Sequence, residues 1–583
     1  MVRNLRRVSF WFSLIAIIVL IFDIGFTQDP ELDHSLKLFY FIALLFGIPS
    51  ILLRYIASEE RFKLSVRIFD SIIFLLFSLL ILININFIRE NLSFVGFMNR
   101  MGWVYLALFI YFIREFSALK IDMKQEYLNP AQLFIVSFIL IILMGTALLL
   151  LPNATHTGLS PLDALFTATS AVCVTGLIVV DTGSYFTQFG QIIIVTLIQL
   201  GGLGIMTFAS YFSYFFRGGK SSYENQLMLK DITNSDKLGE VFNVLKKIVM
   251  LTFAIEAIGA VFIYFSLADS PIKGIGNKVF FSIFHTISGF CNAGFSTLPN
   301  SLYEPGFKFN YPLQLILALL FILGGLGFPI ILNLSKFLRY ALRNRILKLR
   351  DPRKYAHAPW VINLNSRIVL FTTSALLIIG TLLFYVFEYN NTLAEHSGLG
   401  KLVVAFFGAA TPRTAGFNSV DMAQLNFSTI MILFLLMWVG ASPASTGGGI
   451  KTSTFAIATL NFFSLARGKD RVEAYNREIA DISIRRAFAL IGLSLMVIGT
   501  AVFLIASFDS EKSLLSIAFE CFSAYSTVGL SVGITASLSA PAKVVIICTM
   551  FIGRVSMLTI LIAMLRRVKH LNYKYPKEEI LIN

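Results

Sequence analysis

The chain has 583 residues, of which 56% are hydrophobic and only 14% charged, with a mean hydropathy of +0.76. A soluble domain carries about 25% charged residues, so this chain cannot cover its apolar side chains with a polar surface. Soluble enzymes, secreted disulfide scaffolds and disordered or low-complexity chains (57 Phe and 20 Tyr against 16 Pro) are excluded, which leaves an all-α polytopic membrane protein.

The net charge of +15 reads as membrane orientation, with Lys and Arg kept on the cytoplasmic side, and not as a nucleic-acid partner. Cys173, Cys291, Cys521 and Cys548 all lie in apolar context and read as buried thiols. Met1 to Arg7 is basic, but no small-residue cleavage site follows, so the first apolar run is a span and not a signal peptide. A span needs about 20 apolar residues to cross about 30 Å of hydrocarbon. Residues 9–26, 37–57, 68–88 and 102–118 qualify. The connection with Asp29, Glu31 and Asp33 is acidic, and the next carries Arg54, Arg61, Lys63 and Arg67. No buried charge pair is visible in these four, and they read as a peripheral packing bundle.

Further apolar runs fall at 131–151, 191–216, 248–267, 313–335, 367–387, 427–439 with 450–463, 487–507 and 543–565. Taken in pairs, they enclose shorter apolar stretches at 161–173, 279–291, 400–411 and 514–526, too short to cross and re-entrant in length. These begin near Ser160-Pro161, Gly276-Asn277, Ser397-Gly398 and Asp509-Ser510, which is helix-starting chemistry. Each short stretch ends in a small motif: Val174-Thr175-Gly176, Asn292-Ala293-Gly294, Thr414-Ala415-Gly416 and Thr527-Val528-Gly529. The motif glycines are 118, 122 and 113 residues apart, and Gly201, Gly324, Gly440 and Gly553 follow them by 25, 30, 24 and 24. Two registers repeating together mark an internal repeat. The expected division is 1–125 (extra helices), 126–230, 231–350, 351–470 and 471–570 (four helix, half-helix, loop, helix units) and 571–583 (a cytoplasmic tail). The linkers 217–247, 336–354, 467–486 and 566–583 carry 25 Lys and Arg against seven on the motif-side connections. Linkers and both termini are therefore expected in the cytoplasm, with the motifs facing out.

Non-helical backbone at membrane depth survives only where protein buries it or it lines water. Four such loops around one axis make rings of carbonyls that replace an ion's hydration shell. Glycine reaches the positive φ that such backbone needs, and the half-helices turn their partly negative C-termini toward the loops, which favours a cation. The motifs hold no acidic ring, which suits a dehydrated monovalent ion.

The blocks Thr169–Leu177, Cys291–Ser296, Thr411–Asn418 and Ser526–Ser531 resemble the four filter sequences of the Trk/Ktr/HKT potassium-transporter superfamily, and most of all the Ktr-type membrane subunit. The resemblance covers about 130–570. It implies four pore units in one chain, potassium uptake across the plasma membrane through the twelve motif residues, and a homodimer. It also implies a cytosolic nucleotide-binding regulatory ring as partner. K+ is the implied transported ion, and glycine at all four filter positions, Gly176 included, goes with potassium selectivity. Na+ as a coupling or activating ion stays open. The first 125 residues have no counterpart in the minimal Ktr pattern.

Residues 440–453 contain Pro443, Gly447-Gly448-Gly449 and Lys451. A phosphate loop needs Gly directly before Lys, and Ile450 intervenes. The stretch reads as a broken helix lining a cavity, and the resemblance makes it a gating loop. Arg554 lies inside an apolar run, where a charge is costly. The resemblance makes it an ion barrier beside the gate, and a structural ion pair with Glu256 or Glu520 is the alternative. Arg413 is expected to brace the third loop through carbonyls. Asp181 and Asp421 either enrich cations at the outer mouth or are ordinary loop carboxylates. Gly201-Gly202-Leu203-Gly204 and Gly324-Gly325-Leu326-Gly327 read as close-packing surfaces, with a hinge as the second reading. An alternating-access carrier would show inverted repeats, whereas these run parallel. A membrane enzyme would need paired carboxylates, a His cluster or an activated nucleophile at depth, and the six His are dispersed, so no enzymatic role is expected.

Overall fold

The computed structural model describes residues 2–56, 64–84, 101–118, 130–204, 241–350 and 362–565. The expectations for 85–88, for 205–240, for 351–354, for Arg61 and Lys63 and for the tail after 565 lie outside these residues. The described residues form nineteen α-helices and one short β-hairpin. Among the described residues seven helices are long and apolar enough to cross a membrane, or up to nine spans result if each of two sharply bent pairs counts as one.

The first four helices are α1 (Val2–Gly25), α2 (Pro30–Ile56), α3 (Leu64–Asn84) and α4 (Met101–Ala118). They share a core that includes Ala16, Tyr40, Leu44, Phe77, Leu108 and Tyr111. Contrary to the sequence reading, this bundle does bury a charge pair. Arg114 donates from Nε to Asp70 Oδ1 at 2.6 Å and from a terminal nitrogen to Oδ2 at 2.9 Å, with both side chains 2% exposed. The two residues lie 44 apart on separate helices, and helical spacing within one span cannot show which faces meet. The Tyr55 hydroxyl also donates to Asp70, and Tyr40 and Tyr105 both donate to Asp23. The bundle meets the rest of the chain where α1 ends, as Asn153 donates to the Ile24 carbonyl at 2.9 Å.

The remaining helices fall into four sets. The first is α5 (Pro130–Leu149), α6 (Pro161–Val172) and α7 (Gln188–Leu203). The second is α8 (Val241–Ser266), α9 (Ile275–Phe290), α10 (Tyr311–Leu326) and α11 (Phe328–Arg350). The third is α12 (Leu364–Glu388), α13 (Leu399–Ala410), α14 (Phe427–Trp438) and α15 (Thr452–Ala466). The fourth is α16 (Asp481–Phe508), α17 (Leu514–Ser526), α18 (Ala540–Val555) and α19 (Met557–Met564). At 1.5 Å per residue the short helices α6, α9, α13 and α17 reach about 18–24 Å, less than the hydrocarbon thickness. Ser160 and Ser513 cap α6 and α17 by accepting the amides of Asp163 and Ser516, while glycines 274 and 398 precede α9 and α13. In the second and fourth sets the start is therefore displaced from the Gly276 and Asp509 signals. Each short helix packs on the long helix before it, and each following helix packs on the next set's short helix: α7 on α9, α10 on α13, α14 on α17, and α18 back on α6. Lys543 at the start of α18 and Asp163 at the start of α6 seal that last contact with a 2.7 Å ion pair.

Two runs read as continuous are broken. The chain bends by 105° between α10 and α11 and by 85° between α18 and α19. The breaks fall at Gly327 and Ser556, with φ of 80° and 75°, and α7 ends at Gly204 with φ of 75°. All three lie three residues after a register glycine. Cys548 is exposed on α18, contrary to expectation, while the other three Cys are buried. An apolar sequence neighbourhood does not distinguish a lipid-facing helix surface from a protein-facing one.

Candidate functional site

At four places a non-glycine residue and the glycine two positions after it both enter the left-handed region. The pairs are Val174 and Gly176 (φ 56° and 90°), Asn292 and Gly294 (62° and 69°), Thr414 and Gly416 (74° and 78°), and Thr527 and Gly529 (50° and 91°). Each directly follows a short helix. For a residue with a Cβ such backbone costs about 1–2 kcal/mol, so the surroundings must hold it. They do so with hydroxyls. Ser170 donates to the Leu177 carbonyl at 2.7 Å and accepts the Gly176 amide at 3.1 Å. Ser288 donates to Phe295 at 2.7 Å and Thr411 to Phe417 at 2.6 Å, and Ser523 accepts the Gly529 amide at 3.1 Å. Sequence reading missed these four. Their signal is a hydroxyl residue six positions before each motif glycine, or five in the third set.

The four bends close on one another. A methyl group added to Gly176 would overlap the Ala293 carbonyl oxygen, one on Gly294 the Ala415 carbonyl, one on Gly416 the Val528 carbonyl and one on Gly529 the Thr175 carbonyl. Each glycine thus sits against the carbonyl that precedes the next glycine, and the fourth returns to the first. The side chains of Val174, Thr175, Asn292, Ala293, Thr414, Ala415, Thr527 and Val528 are all fully buried. The register glycines explain how the following helices come so close. A Cβ on Gly201, Gly324 or Gly553 would strike the Val172, Phe290 or Tyr525 carbonyl at the end of a short helix.

Between α14 and α15 the chain forms a loop whose neck is pinched by Ile450, which donates to the Trp438 carbonyl at 3.3 Å. The loop lies against three of the bends. Gly447 packs on the Thr414 hydroxyl and Gly448 on that of Thr527, which also accepts the Gly448 amide at 2.9 Å. Thr446 donates to Asn292 Oδ1 at 3.1 Å. Ser442 binds the Gly325 carbonyl through its amide and its hydroxyl, at 2.9 and 3.0 Å. Lys451 folds back on the Gly447 carbonyl at 2.6 Å, and Gly449 has φ of 67°. Arg554 donates to the Thr446 carbonyl in this loop and to the Gly201 carbonyl of α7 at 2.5 Å. The alternative of a pair with Glu256 or Glu520 is not what forms: Glu256 accepts from Gln199 at 3.0 Å, and Glu520 accepts from Ser531 and Thr535 at 2.5 and 2.8 Å. Arg413 reaches the carbonyls of Thr373 and Gly440, both at 3.4 Å, so it touches the base of the loop. Asp181 and Asp421 each accept from residues two or three further on, which makes them turn-forming carboxylates. Among the described residues no group of His, Cys, Asp and Glu could hold a metal ion.

A family model described as a cation transport protein, TrkH, matches residues 104–573. The chain belongs to the TrkH cation transport family. It is 38% identical to the Ktr system potassium uptake protein B of Vibrio alginolyticus, over 77% of this chain and 94% of that protein. It is 37% identical to the potassium/sodium uptake protein NtpJ of Enterococcus hirae, over 79% and 98%. The crystal structure of the potassium transporter TrkH from Vibrio parahaemolyticus shares the fold, with a TM-score of 0.59 at 16% identity over 84% of this chain and 96% of that one. As a TrkH-family chain with these spans, it is a multi-pass membrane protein of a transporter family. The family match begins inside α4, so α1–α3 lie outside it.

Proposed function

We propose that this chain carries potassium into the cell through a filter formed by Val174, Thr175, Gly176, Asn292, Ala293, Gly294, Thr414, Ala415, Gly416, Thr527, Val528 and Gly529. The observation that carries the reading is the closed circuit of four left-handed glycines, each against its neighbour's carbonyl. Such a circuit offers backbone oxygens to a cation that has shed its water, at the C-terminal ends of four short helices. The ion is K+ because relatives that align over almost their whole length are named for potassium uptake. The loop with Gly447, Gly448, Gly449 and Lys451, tied to Arg554, is the gate: an irregular segment against the filter and a fixed positive charge that repels cations. The basic linker residues 467–486 support an outward-facing filter with cytoplasmic linkers and termini. In this reading the working unit is a homodimer with a cytosolic nucleotide-binding ring, a proposal that rests on the family resemblance. One relative's name pairs potassium with sodium, which favours a sodium-dependent rate as a second reading, measured as K+ uptake with and without external Na+.

The test is growth at low potassium of a bacterium lacking its own uptake systems. The native chain restores growth, and Gly176→Ser or Gly294→Ser abolishes the rescue or turns it sodium-sensitive. Undiminished, potassium-selective rescue by both variants would overturn the filter.

A further inference from the structure

The four bends share their hydroxyl braces but differ on the side that follows the glycine. Nine positions before Gly294 stands His285, and nine before Gly529 stands Glu520; the corresponding residues in the first and third loops are Thr167 and Phe407. Two positions after the glycine the second and fourth loops carry Ser296 and Ser531, where the others have Ile178 and Asn418. The two differences meet in space. Glu520, 1% exposed, accepts from the Ser531 hydroxyl at 2.5 Å and from Thr535 at 2.8 Å. His285, fully buried, lies 3.0 Å through Nδ1 from the Phe281 carbonyl and 2.9 Å through Nε2 from Ser296 Oγ. A carbonyl only accepts, so Nδ1 carries the proton, and in the neutral ring, which full burial without a carboxylate partner favours, the Ser296 hydroxyl donates to Nε2. His285 also stacks on Phe281, with ring centroids 3.8 Å apart. In the closed order of the four glycines the second and fourth loops face each other. Two opposite loops are therefore strutted from the short helix to the outgoing turn, and the other two are not.

We propose that Glu520 and His285 are positioning residues for ion discrimination, fixing the outgoing turns of two opposite filter loops so that the carbonyl circuit cannot relax onto a smaller cation. The inference rests on the filter reading above and adds residues that touch no ion. A buried acceptor bound to two hydroxyls and to the Val532 amide acts here by geometry, so an uncharged group of the same shape should replace it.

The test is K+ uptake against Na+ uptake by the full-length chain in proteoliposomes. Glu520→Ala is expected to raise Na+ uptake relative to K+ about tenfold, the scale of losing a buried hydrogen-bonded acceptor. Glu520→Gln, which keeps one oxygen acceptor and offers an amide donor to the other hydroxyl, which can turn to accept it, should restore most of the native ratio. The double variant Ser531→Ala/Thr535→Val, which removes both hydroxyl contacts and leaves the carboxylate its bond to the Val532 amide, should shift the ratio in the same direction by a smaller factor and serves if the Glu520→Ala variant does not fold. His285→Phe, which keeps the stack, should shift the ratio in the same direction. An unchanged ratio in both Glu520→Ala and the double variant, with Gly529→Ser shifting it, overturns the inference alone. Gln as damaging as Ala also overturns it, since charge would then be the cause. An unchanged ratio in Gly529→Ser overturns the filter reading itself.

Discussion

Arg554 shows how one residue joins distant parts of this fold. Its guanidinium spans the Thr446 carbonyl of the loop and the Gly201 carbonyl of α7, so it ties the loop to the first set from the fourth. In the proposed gate, removing it takes away both a positive charge and a clamp, and both losses favour cation passage. Arg554→Ala is expected to raise basal K+ flux in proteoliposomes severalfold, with Arg554→Lys keeping the charge and losing the fork. Unchanged flux in Arg554→Ala would retire the barrier role. The charge was legible in the sequence because an Arg inside an apolar run stands out. Its partners were not, because they are backbone carbonyls, which every residue carries. The same holds for Ser170, Ser288, Thr411 and Ser523. Hydroxyls are common in membrane helices, and only the fold shows that these four brace a left-handed turn.

The short helices and the helices that follow them are matched by close approach of backbones. Gly324 lets α10 lie against the Phe290 carbonyl and Gly553 lets α18 lie against that of Tyr525, contacts that no side chain could share. Gly324→Ala is therefore expected to lower the melting temperature measurably, through a loss of about 1–3 kcal/mol from overpacking at a rigid carbonyl. A melting temperature equal to the native one would contradict this packing. The repeat spacing made these glycines visible in the sequence, and the Gly-Gly-Leu-Gly runs held a second message: their last glycine ends the helix, at Gly204 and Gly327. The fourth set breaks at Ser556, with φ of 75°, and nothing in a lone serine within an apolar run announces that. The break in the third set was legible because Pro443 and three glycines cannot continue a helix.

Across the whole molecule, closure of the four sets is what separates a common axis from a row of helix pairs. The last contact, α18 on α6, joins residues 380 apart through Lys543 and Asp163. Lys543→Met should cost about 1 kcal/mol, the scale of a partly exposed pair, and be read as a lower midpoint in thermal unfolding; an unaltered midpoint would make the pair incidental. The bundle α1–α4 is joined to this ring at the end of α1. Its Arg114–Asp70 pair, invisible to a reading of one span at a time, belongs to the bundle's own packing. A density map of the protein in K+ and in Na+ decides whether the four bends hold an ion. In K+ a column of density is expected on the axis between Gly176, Gly294, Gly416 and Gly529, weakened when Na+ replaces it. Side chains filling that axis, or no ion density there in saturating K+, would contradict the filter.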